Sequence, residues 1–244
     1  MINTQPWYFD DKVRLDNSAS PCRGLSLKKF LALLVFYSLL HAHALVAVAD
    51  DSASRSSSAF KESIESDIKL GYLKRAEASV LSFRKIIDVE ENWRIPYFMY
   101  LINEAKQNFG AAKKYILQAY NLNPKNPQIL LAVASLKGRE GNFKLALHNL
   151  NQAIYLKPNY ANAYSNRGVV KGALGDTKGA IRDFTRAIKI DKFNSLAYQN
   201  RGISYEIVGD LKNACRDWKS ASRLGLERSK TWLSEQCKKN PPLR

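Results

Sequence analysis

The sequence lacks most of the residues from which a catalytic or metal site is built. Its 244 residues include three histidines and three cysteines, and His41 and His43 both lie inside an apolar run. It contains no HExxH or CxxC motif and no glycine-rich phosphate loop. Residues 105–139 contain no Asp or Glu, so no carboxylate pair for acid–base chemistry can form within them. We therefore expect a protein without enzymatic activity and without a cofactor or metal.

The first 49 residues have the order of an export signal. Two lysines precede an uncharged apolar run over residues 30–49, which ends in Ala-Val-Ala before Asp50. This order is typical of a secretory signal, so we expect export to a periplasm, lumen or extracellular space after cleavage near Ala49. An uncleaved membrane anchor is an alternative, because about 20 apolar residues can span a bilayer. A buried core helix is another. The Ser-rich residues 50–56 predict a linker.

Beyond position 92 the sequence repeats itself at a fixed interval. Tyr164 and Tyr198 are equivalent residues of two consecutive copies and are separated by one such interval. The copies at 161–194 and 195–228 share an aromatic residue, a glycine, a Gly-Asp pair and two alanines. The matched residues are Tyr164 and Tyr198, Gly168 and Gly202, Gly175 and Gly209, Asp176 and Asp210, Ala180 and Ala214, and Ala187 and Ala221. Because Gly-Asp is a turn signal followed by a helix start, each copy predicts a pair of helices. Such pairs must stack on one another to bury their apolar faces.

This pattern resembles the tetratricopeptide repeat (TPR), a helix–turn–helix unit of about the same period with small residues at fixed points. The resemblance identifies a degenerate repeat at 57–92 and four clear repeats at 93–126, 127–160, 161–194 and 195–228. It implies an all-α fold, a right-handed α-solenoid with a C-terminal capping helix over residues 229–239. It also implies a non-enzymatic protein that binds a protein or peptide in a concave groove lined by first helices.

The spacing of small and large residues predicts how the helices pack. Gly168 and Ala180 are small where the two helices of a repeat cross, so their backbones can approach closely. Apolar residues at helical spacing predict a buried stripe on the same hairpin. This stripe consists of Tyr164, Leu174, Phe184 and Ala187.

The first helices supply a set of candidate ligand contacts, which we call the groove set. Its members are neutral, polar or apolar, and an amide side chain can both donate to and accept from a peptide backbone. The groove set comprises Tyr97, Gln128, Leu131, Asn162, Asn166, Gln199, Asn200 and Ile203. The repeated Asn-Arg-Gly sequence has a second interpretation, in which Asn166 and Asn200 only help to build the helix.

The net charge of +16 is concentrated in the clear repeats. Residues 50–100 carry a net charge of −1, whereas residues 101–244 carry +15. On the second helices of the last two repeats, the cations share one helical side opposite the predicted stripe. We call this surface the basic face and expect it to be convex. Its members are Lys178, Arg182, Arg186, Lys189, Lys212, Arg216, Lys219 and Arg223.

The basic face has one plain and two functional interpretations. A solvated surface is the plain one. The functional ones are docking on an anionic membrane, where each cation near the surface contributes about 1 kcal/mol, or on an acidic partner complex. Export and the absence of stacking aromatic residues among the cations argue against nucleic acid as a partner.

Two cysteines, Cys215 and Cys237, remain after the expected cleavage. Two cysteines in an exported protein could form a disulfide. The sequence alone favours two separate thiols, because it does not supply the Cα–Cα distance that a disulfide requires.

Overall fold

A computed structural model describes residues 53–84 and 93–237. All regular structure within these two ranges is helical, which confirms the predicted all-α fold. The helices are α1 (Ala53–Lys69), α2 (Leu73–Arg84), α3 (Arg94–Ala105), α4 (Phe109–Leu122), α5 (Pro127–Arg139), α6 (Phe143–Leu156), α7 (Ala161–Ala173), α8 (Thr177–Ile190), α9 (Ser195–Ile207), α10 (Leu211–Arg223) and α11 (Glu227–Trp232). The predicted leader at 1–49 lies outside the described residues.

The helices from α3 to α10 form four hairpins that follow the period of the sequence. Their second helices begin at equal intervals along the chain, at Phe109, Phe143, Thr177 and Leu211. Within each hairpin the two helices pack together, and each second helix also contacts the first helix of the next hairpin. The four hairpins therefore stack in chain order as a solenoid. The handedness of this solenoid stays a prediction.

Each second helix begins at a polar cap that repeats with the same period. The side-chain oxygens of Asn108, Asn142, Asp176 and Asp210 each accept a hydrogen bond from the backbone N–H three residues later. Such caps satisfy an amide group that the helix itself leaves unpaired, and each stabilises the helix by about 1 kcal/mol. The repeated caps therefore fix where every second helix starts.

The turn within each hairpin requires a left-handed backbone. Gly141, Gly175 and Gly209 adopt φ angles of +75°, +85° and +81° at equivalent positions. Glycine adopts this conformation without a steric penalty. Gln107 occupies the same position in the first of the four hairpins with φ of +58°. The left-handed backbone is therefore less favourable for Gln107 in this turn than for the glycines in the other three.

The two helices of a hairpin cross closely at the predicted glycines. A Cβ atom added to Gly168 would lie 2.8 Å from Cε1 of Phe184, and one added to Gly202 would lie 2.4 Å from Nε1 of Trp218. Both rings are fully buried. The predicted close approach of the two helices is confirmed. At each crossing an aromatic ring packs directly on a glycine backbone.

The buried stripe is correct except at one residue. Ala180, Phe184 and Ala187 are fully buried, and Tyr164 packs against the same cluster. Leu174 is instead 51% exposed. It follows the last residue of α7 as the C-cap, so its side chain leaves the helix face that packs on α8.

The N-terminal hairpin, α1 and α2, extends the same core. Ile64, Ala76 and Val80 have no exposed surface and join a cluster that includes residues of α3, α4 and α5. The turn between α1 and α2 contains Gly71 at φ of +77°, as in the clear repeats. Helix α1 begins at Ala53, so it already includes the second half of the predicted linker.

The C-terminal end of the array is closed by α11 and a π-helical turn, Leu233–Cys237. Trp232 contacts Trp218 with their ring centroids 5.3 Å apart. Cys215 and Cys237 form a disulfide with a Cα–Cα distance of 5.8 Å, so the expectation of two separate thiols is wrong. The sequence separation of 22 residues corresponds to about 3 kcal/mol of chain-entropy stabilisation.

The described helices differ from membrane-spanning ones in length and polarity. Among α1 to α11, none combines the length and the apolar character needed to cross a bilayer. The apolar run at 30–49 precedes these helices and lies outside the described ranges.

Replacement of Gly202 by Ala tests the glycine–ring crossing. The new Cβ would overlap the Trp218 indole, so we expect the free energy of unfolding to fall by about 1–3 kcal/mol. Urea unfolding followed by circular dichroism measures this change.

Gly110→Ala is the matched control, because it makes the same change on a helix with no steric conflict. The nearest atom to its Cβ would be Oδ1 of Asn108 at 4.0 Å. We expect this variant to be stabilised by up to about 1 kcal/mol, since Ala favours a helix over Gly. Equal effects of the two substitutions would contradict the proposed crossing.

Candidate functional site

The groove set lies on four successive first helices. Tyr97 is on α3, Gln128 and Leu131 are on α5, Asn162 and Asn166 are on α7, and Gln199, Asn200 and Ile203 are on α9. Neighbouring members of this row of helices, α5 with α7 and α7 with α9, are in contact. The structure therefore brings the set together along one side of the solenoid.

Two apolar members of the groove set belong to the core. Tyr97 is 4% exposed and its ring lies 5.9 to 6.2 Å from those of Trp93, Tyr100 and Phe98. Burial raises the pKa of its hydroxyl well above the ordinary value. Leu131 is 6% exposed and packs in the next cluster. The expectation that they are open to a ligand is corrected, because helix packing already covers them.

The amides of Asn166 and Gln199 join neighbouring first helices. Nδ2 of Asn166 donates to Oγ of Ser135 on α5 at 2.9 Å. Nε2 of Gln199 donates to Oγ of Ser229 on α11 at 3.3 Å. Both hydrogen bonds are buried, and buried polar groups need such partners. These side chains therefore help to hold neighbouring helices together, which is the second interpretation of the repeated asparagines.

The repeated asparagines are buried in this conformation. Asn166 and Asn200 have no exposed surface, Gln199 is 3% exposed and Ile203 is 1% exposed. A side chain without exposed surface reaches a ligand only after a rearrangement around it. A ligand role for these four residues stays a prediction.

Gln128 and Asn162 are the accessible members of the groove set. Both are half-buried, and they occupy equivalent positions one repeat apart on α5 and α7. Leu196, the next residue at this spacing, is also half-buried on α9. The accessible part of the site is therefore a line of one residue per repeat, with amides at two of three positions.

The basic face is accessible as predicted. Seven of its eight residues are exposed, and the eighth, Arg186, is half-buried. Arg186 donates weakly to Oδ1 of Asn159 at 3.5 Å, and Arg216 donates to Oδ1 of Asn213 at 3.0 Å. Across the described ranges, no carboxylate forms an ion pair with any of the eight. This surface therefore has an excess of positive charge, although hydrogen bonds from Asn213 and the nearby charges of Arg216 and Lys212 lower the pKa of the Asp210 carboxyl beside it.

Metal-ligating residue types are dispersed over the array. Among the side chains that the structure describes, no three His, Cys, Asp or Glu residues come together as a group that could hold a metal ion.

Family models match the central hairpins. One, described as "TPR repeat", matches residues 139–175, and another, described as "Tetratricopeptide repeat", matches residues 161–194.

The chain contains tetratricopeptide repeats.

Solved TPR structures have the same fold as this chain. The crystal structure of MamA matches with a TM-score of 0.51 at 20% identity, over 68% of this chain and 96% of that one. The PilF protein of Pseudomonas aeruginosa matches with a TM-score of 0.60 at 12% identity, over 72% and 80% of the two chains. YrrB, described as a TPR protein with an unusual peptide-binding site, matches with a TM-score of 0.51 at 18% identity, over 74% and 90%. A comparison with curated proteins gave no match.

An Arg–Asp bridge joins the two helices of each of the last two TPR hairpins and was missed by the sequence analysis. Arg167 on α7 donates from Nε and Nη2 to the two carboxylate oxygens of Asp183 on α8, both at 2.8 Å. Arg201 and Asp217 form the same bridge one repeat later, at 2.7 and 2.8 Å. The signal was present in the sequence, because each Arg precedes its Asp by the same interval in consecutive repeats.

Each bridging arginine also reaches the preceding TPR hairpin. Nη1 of Arg167 donates to Oδ1 of Asn151 on α6, and Nη1 of Arg201 donates to Oγ1 of Thr185 on α8. The arginines therefore connect the second helices of neighbouring repeats. Asp183 and Asp217 are thereby held on the inner side of α8 and α10, away from the basic face.

The second bridge carries a desolvation cost. Asp217 is 3% exposed, and burial raises the pKa of its carboxyl although the hydrogen bonds from Arg201 oppose this. Asp183 accepts an additional bond from Lys171 at 2.8 Å, whereas the residue equivalent to Lys171 in the last repeat is Tyr205. The Arg201–Asp217 bridge therefore has one cation fewer to offset the burial of its carboxylate.

Removal of one partner of the Arg201–Asp217 bridge should destabilise the fold more than replacement of both. Asp217→Ala leaves the largely buried guanidinium without its carboxylate, and we expect unfolding to become easier by about 3–5 kcal/mol. Arg201→Met with Asp217→Leu fills similar volume with apolar groups and should be nearly neutral. Urea unfolding of both variants checks this, and a double variant as unstable as the single one would refute it.

Proposed function

We propose that this TPR chain is a non-enzymatic interaction scaffold that binds a peptide or protein surface along its first helices. The observation that carries the proposal is the line of accessible amides, Gln128 and Asn162, on successive first helices. An amide pairs with an extended backbone through one donor and one acceptor, and the repeat period presents such a group once per hairpin. The chain also shares its fold with YrrB, which is described as having a peptide-binding site.

The buried asparagines extend the same line inward. Asn166 lies four residues after Asn162, so the two share one side of α7. Asn200 is equivalent to Asn166 on α9. A ligand that displaces what covers these residues would gain two further amides in register. In the proposed site, Gln128 and Asn162 are the primary ligand contacts, and Asn166 and Asn200 are secondary ones.

We further propose that the scaffold acts outside the cytosol, as the leader at 30–49 predicts. The Cys215–Cys237 disulfide supports this, because disulfides persist in oxidising compartments. The mature chain would begin near Asp50, shortly before α1. A membrane anchor formed by residues 30–49 is the alternative, and it would hold the array close to a bilayer.

Replacement of the accessible amides tests the groove. We expect Gln128→Ala with Asn162→Ala to weaken partner binding by roughly ten- to thirtyfold, since each lost hydrogen-bonding side chain contributes about 1 kcal/mol. The partner is first identified by affinity purification of the mature chain and mass spectrometry. Its affinity for both forms is then measured by calorimetry.

Gln118→Ala with Gln152→Ala is the matched control for the groove variant. These glutamines are also one repeat apart, but they are exposed on the second helices α4 and α6. The control should bind the partner as the unaltered chain does. A groove variant that binds equally well would refute the groove as the site.

A second candidate function is favoured by the excess positive charge of the basic face. In this alternative the chain is a peripheral scaffold that docks on an anionic membrane or an acidic partner complex. Eight cations on the outer side of α8 and α10 without an ion pair among the described residues create an attractive field for such a surface. Nucleic acid stays the least favoured polyanion, because the basic face has no interleaved aromatic residues for base stacking.

Charge reversal tests the second candidate. Replacement of Lys178, Arg182, Lys212 and Arg216 by Glu should abolish docking, and rising salt should weaken docking of the unaltered chain. Sedimentation with anionic vesicles measures both effects.

The matched control reverses four exposed lysines of the first two clear repeats. These are Lys114, Lys125, Lys144 and Lys157. This control has the same net charge as the basic-face variant. It therefore distinguishes the effect of the basic face on docking from the effect of overall charge. Equal loss of docking in the two variants would contradict a dedicated basic face.

A further inference from the structure

The turns between the two helices of each repeat form one edge of the array, and its chemistry changes along the chain. In the first half, ion pairs cross between neighbouring hairpins at this edge. Both Nη atoms of Arg139 donate to the carboxylate of Glu104, at 2.8 and 3.0 Å, and Nζ of Lys113 donates to Glu140 at 2.6 Å. This part of the edge therefore carries paired charges, and Leu70, Tyr72 and Phe109 are exposed apolar residues beside them.

In the last two repeats the same positions are apolar. Leu174 and Val208 stand where Glu140 stands in the earlier repeat, and Ala173 and Ile207 stand where Arg139 stands. Leu174 is 51% exposed, Ile207 is 48% exposed and Val208 is 47% exposed. We call these four residues, Ala173, Leu174, Ile207 and Val208, the turn edge.

The turn edge is not needed for the packing of the array. Its helices α7 and α9 bury other side chains, and the edge residues end these helices or follow them, where they project from the hairpin tips. A single exposed apolar residue is ordinary, but three large ones on two neighbouring turns form a cluster. Their exposure therefore calls for a function outside the fold.

Cations of the basic face border the turn edge together with three carboxylates, Asp176, Asp210 and Glu206. The cations exceed these acids once Arg182 and Arg216 of the next helical turn are counted. Lys178 follows Leu174 by four residues, and Lys212 follows Val208 by four, each in the first turn of its second helix. Both lysines are exposed and have no ion pair within the described residues. Projecting apolar side chains beside lysines match the interface of an anionic bilayer, which offers acyl chains below and negative headgroups above.

The shape of this region favours a bilayer over a peptide. Hairpin tips and the outer sides of α8 and α10 project from the array, so they cannot enclose an extended chain. A planar partner can contact projecting tips and a row of cations at the same time. Each contact is weak, but many cations contribute together.

We propose that the turn edge inserts into the interfacial layer of an anionic bilayer while the basic face binds the headgroups. The inference deepens the second candidate function above and rests on it. It adds an orientation, with the tips of the last two TPR hairpins toward the membrane. The bilayer, rather than free phosphate, is the proposed partner, because free phosphate offers no apolar phase for Leu174, Ile207 and Val208.

The test compares binding to vesicles of phosphatidylcholine alone and with added phosphatidylglycerol. Leu174→Ser with Val208→Ser should lower the partition onto anionic vesicles by about tenfold or more, because two apolar side chains no longer leave water. Because residues 30–49 and the adjacent Lys28 and Lys29 can themselves bind a bilayer, the comparison is between variants that share this segment unchanged. Leu122→Ser with Leu156→Ser, at 45% and 44% exposure, is the matched control and should bind like the unaltered chain.

A fluorescent reporter gives an independent measurement of insertion. The emission of a Leu174→Trp variant should shift to shorter wavelength with anionic vesicles, whereas that of Leu156→Trp should not. Unchanged circular dichroism of each variant shows that it is folded.

Three results would overturn the proposal. If the turn-edge variant binds anionic vesicles normally while charge reversal of the basic face abolishes binding, the edge does not insert, although the second candidate function stands. If the unaltered chain does not bind anionic vesicles, this proposal and the membrane form of the second candidate function both fail, and only docking on an acidic partner complex is left. If soluble polyglutamate alone produces the Leu174→Trp shift, the partner is an acidic polypeptide and not a bilayer.

Discussion

In each of the last two repeats, an aromatic ring of the second helix lies directly on the backbone of the first, because the facing residue is glycine. Phe184 on Gly168 and Trp218 on Gly202 set the distance between the two layers of helices. The remaining surfaces follow from this contact. Once one side of α8 and α10 is fixed inward, their other side must face solvent.

The same inward orientation separates the charges. Asp183 and Asp217 lie on the inner side, where Arg167 and Arg201 bind them and connect neighbouring hairpins. Among the described residues, cations on the outer side of the same helices form no direct ion pair with a carboxylate. The positive surface is thus partly a consequence of how the array holds itself together, and the function proposed for it uses a charge that the fold has already separated.

Much of the fold could be predicted from the sequence, because residues that recur at the repeat period occupy equivalent positions in successive hairpins. The period identified the turn glycines and the close crossing at Gly202. It did not predict that Leu174 lies past the end of its helix, because hydrophobicity alone does not mark the last helical turn. It also placed Tyr97 in a groove, although the aromatic residues around it complete a core that only the three-dimensional packing shows.

The disulfide and the functional surfaces were harder to predict for a different reason. Pairing of Cys215 with Cys237 depends on the π-helical turn that follows α11 and carries Cys237, and the preceding repeats contain no such turn from which that geometry could be inferred. The groove set was chosen by analogy with other TPR proteins, which gives helix positions but not exposure. Gln128 and Asn162 are accessible, whereas Asn166 and Asn200, which occupy equivalent positions in consecutive repeats, are buried.

Helix α11 shows how a repeat array can end without exposing its core. Ser229 lies one full repeat after Ser195, so α11 stands where the first helix of another repeat would begin. It supplies the contacts such a helix would make, through Ser229 to Gln199 and Trp232 to Trp218, and then stops after six residues. The disulfide joins the π-helical turn to α10, so the segment that covers the last repeat is bonded to the same helix that carries four cations of the basic face.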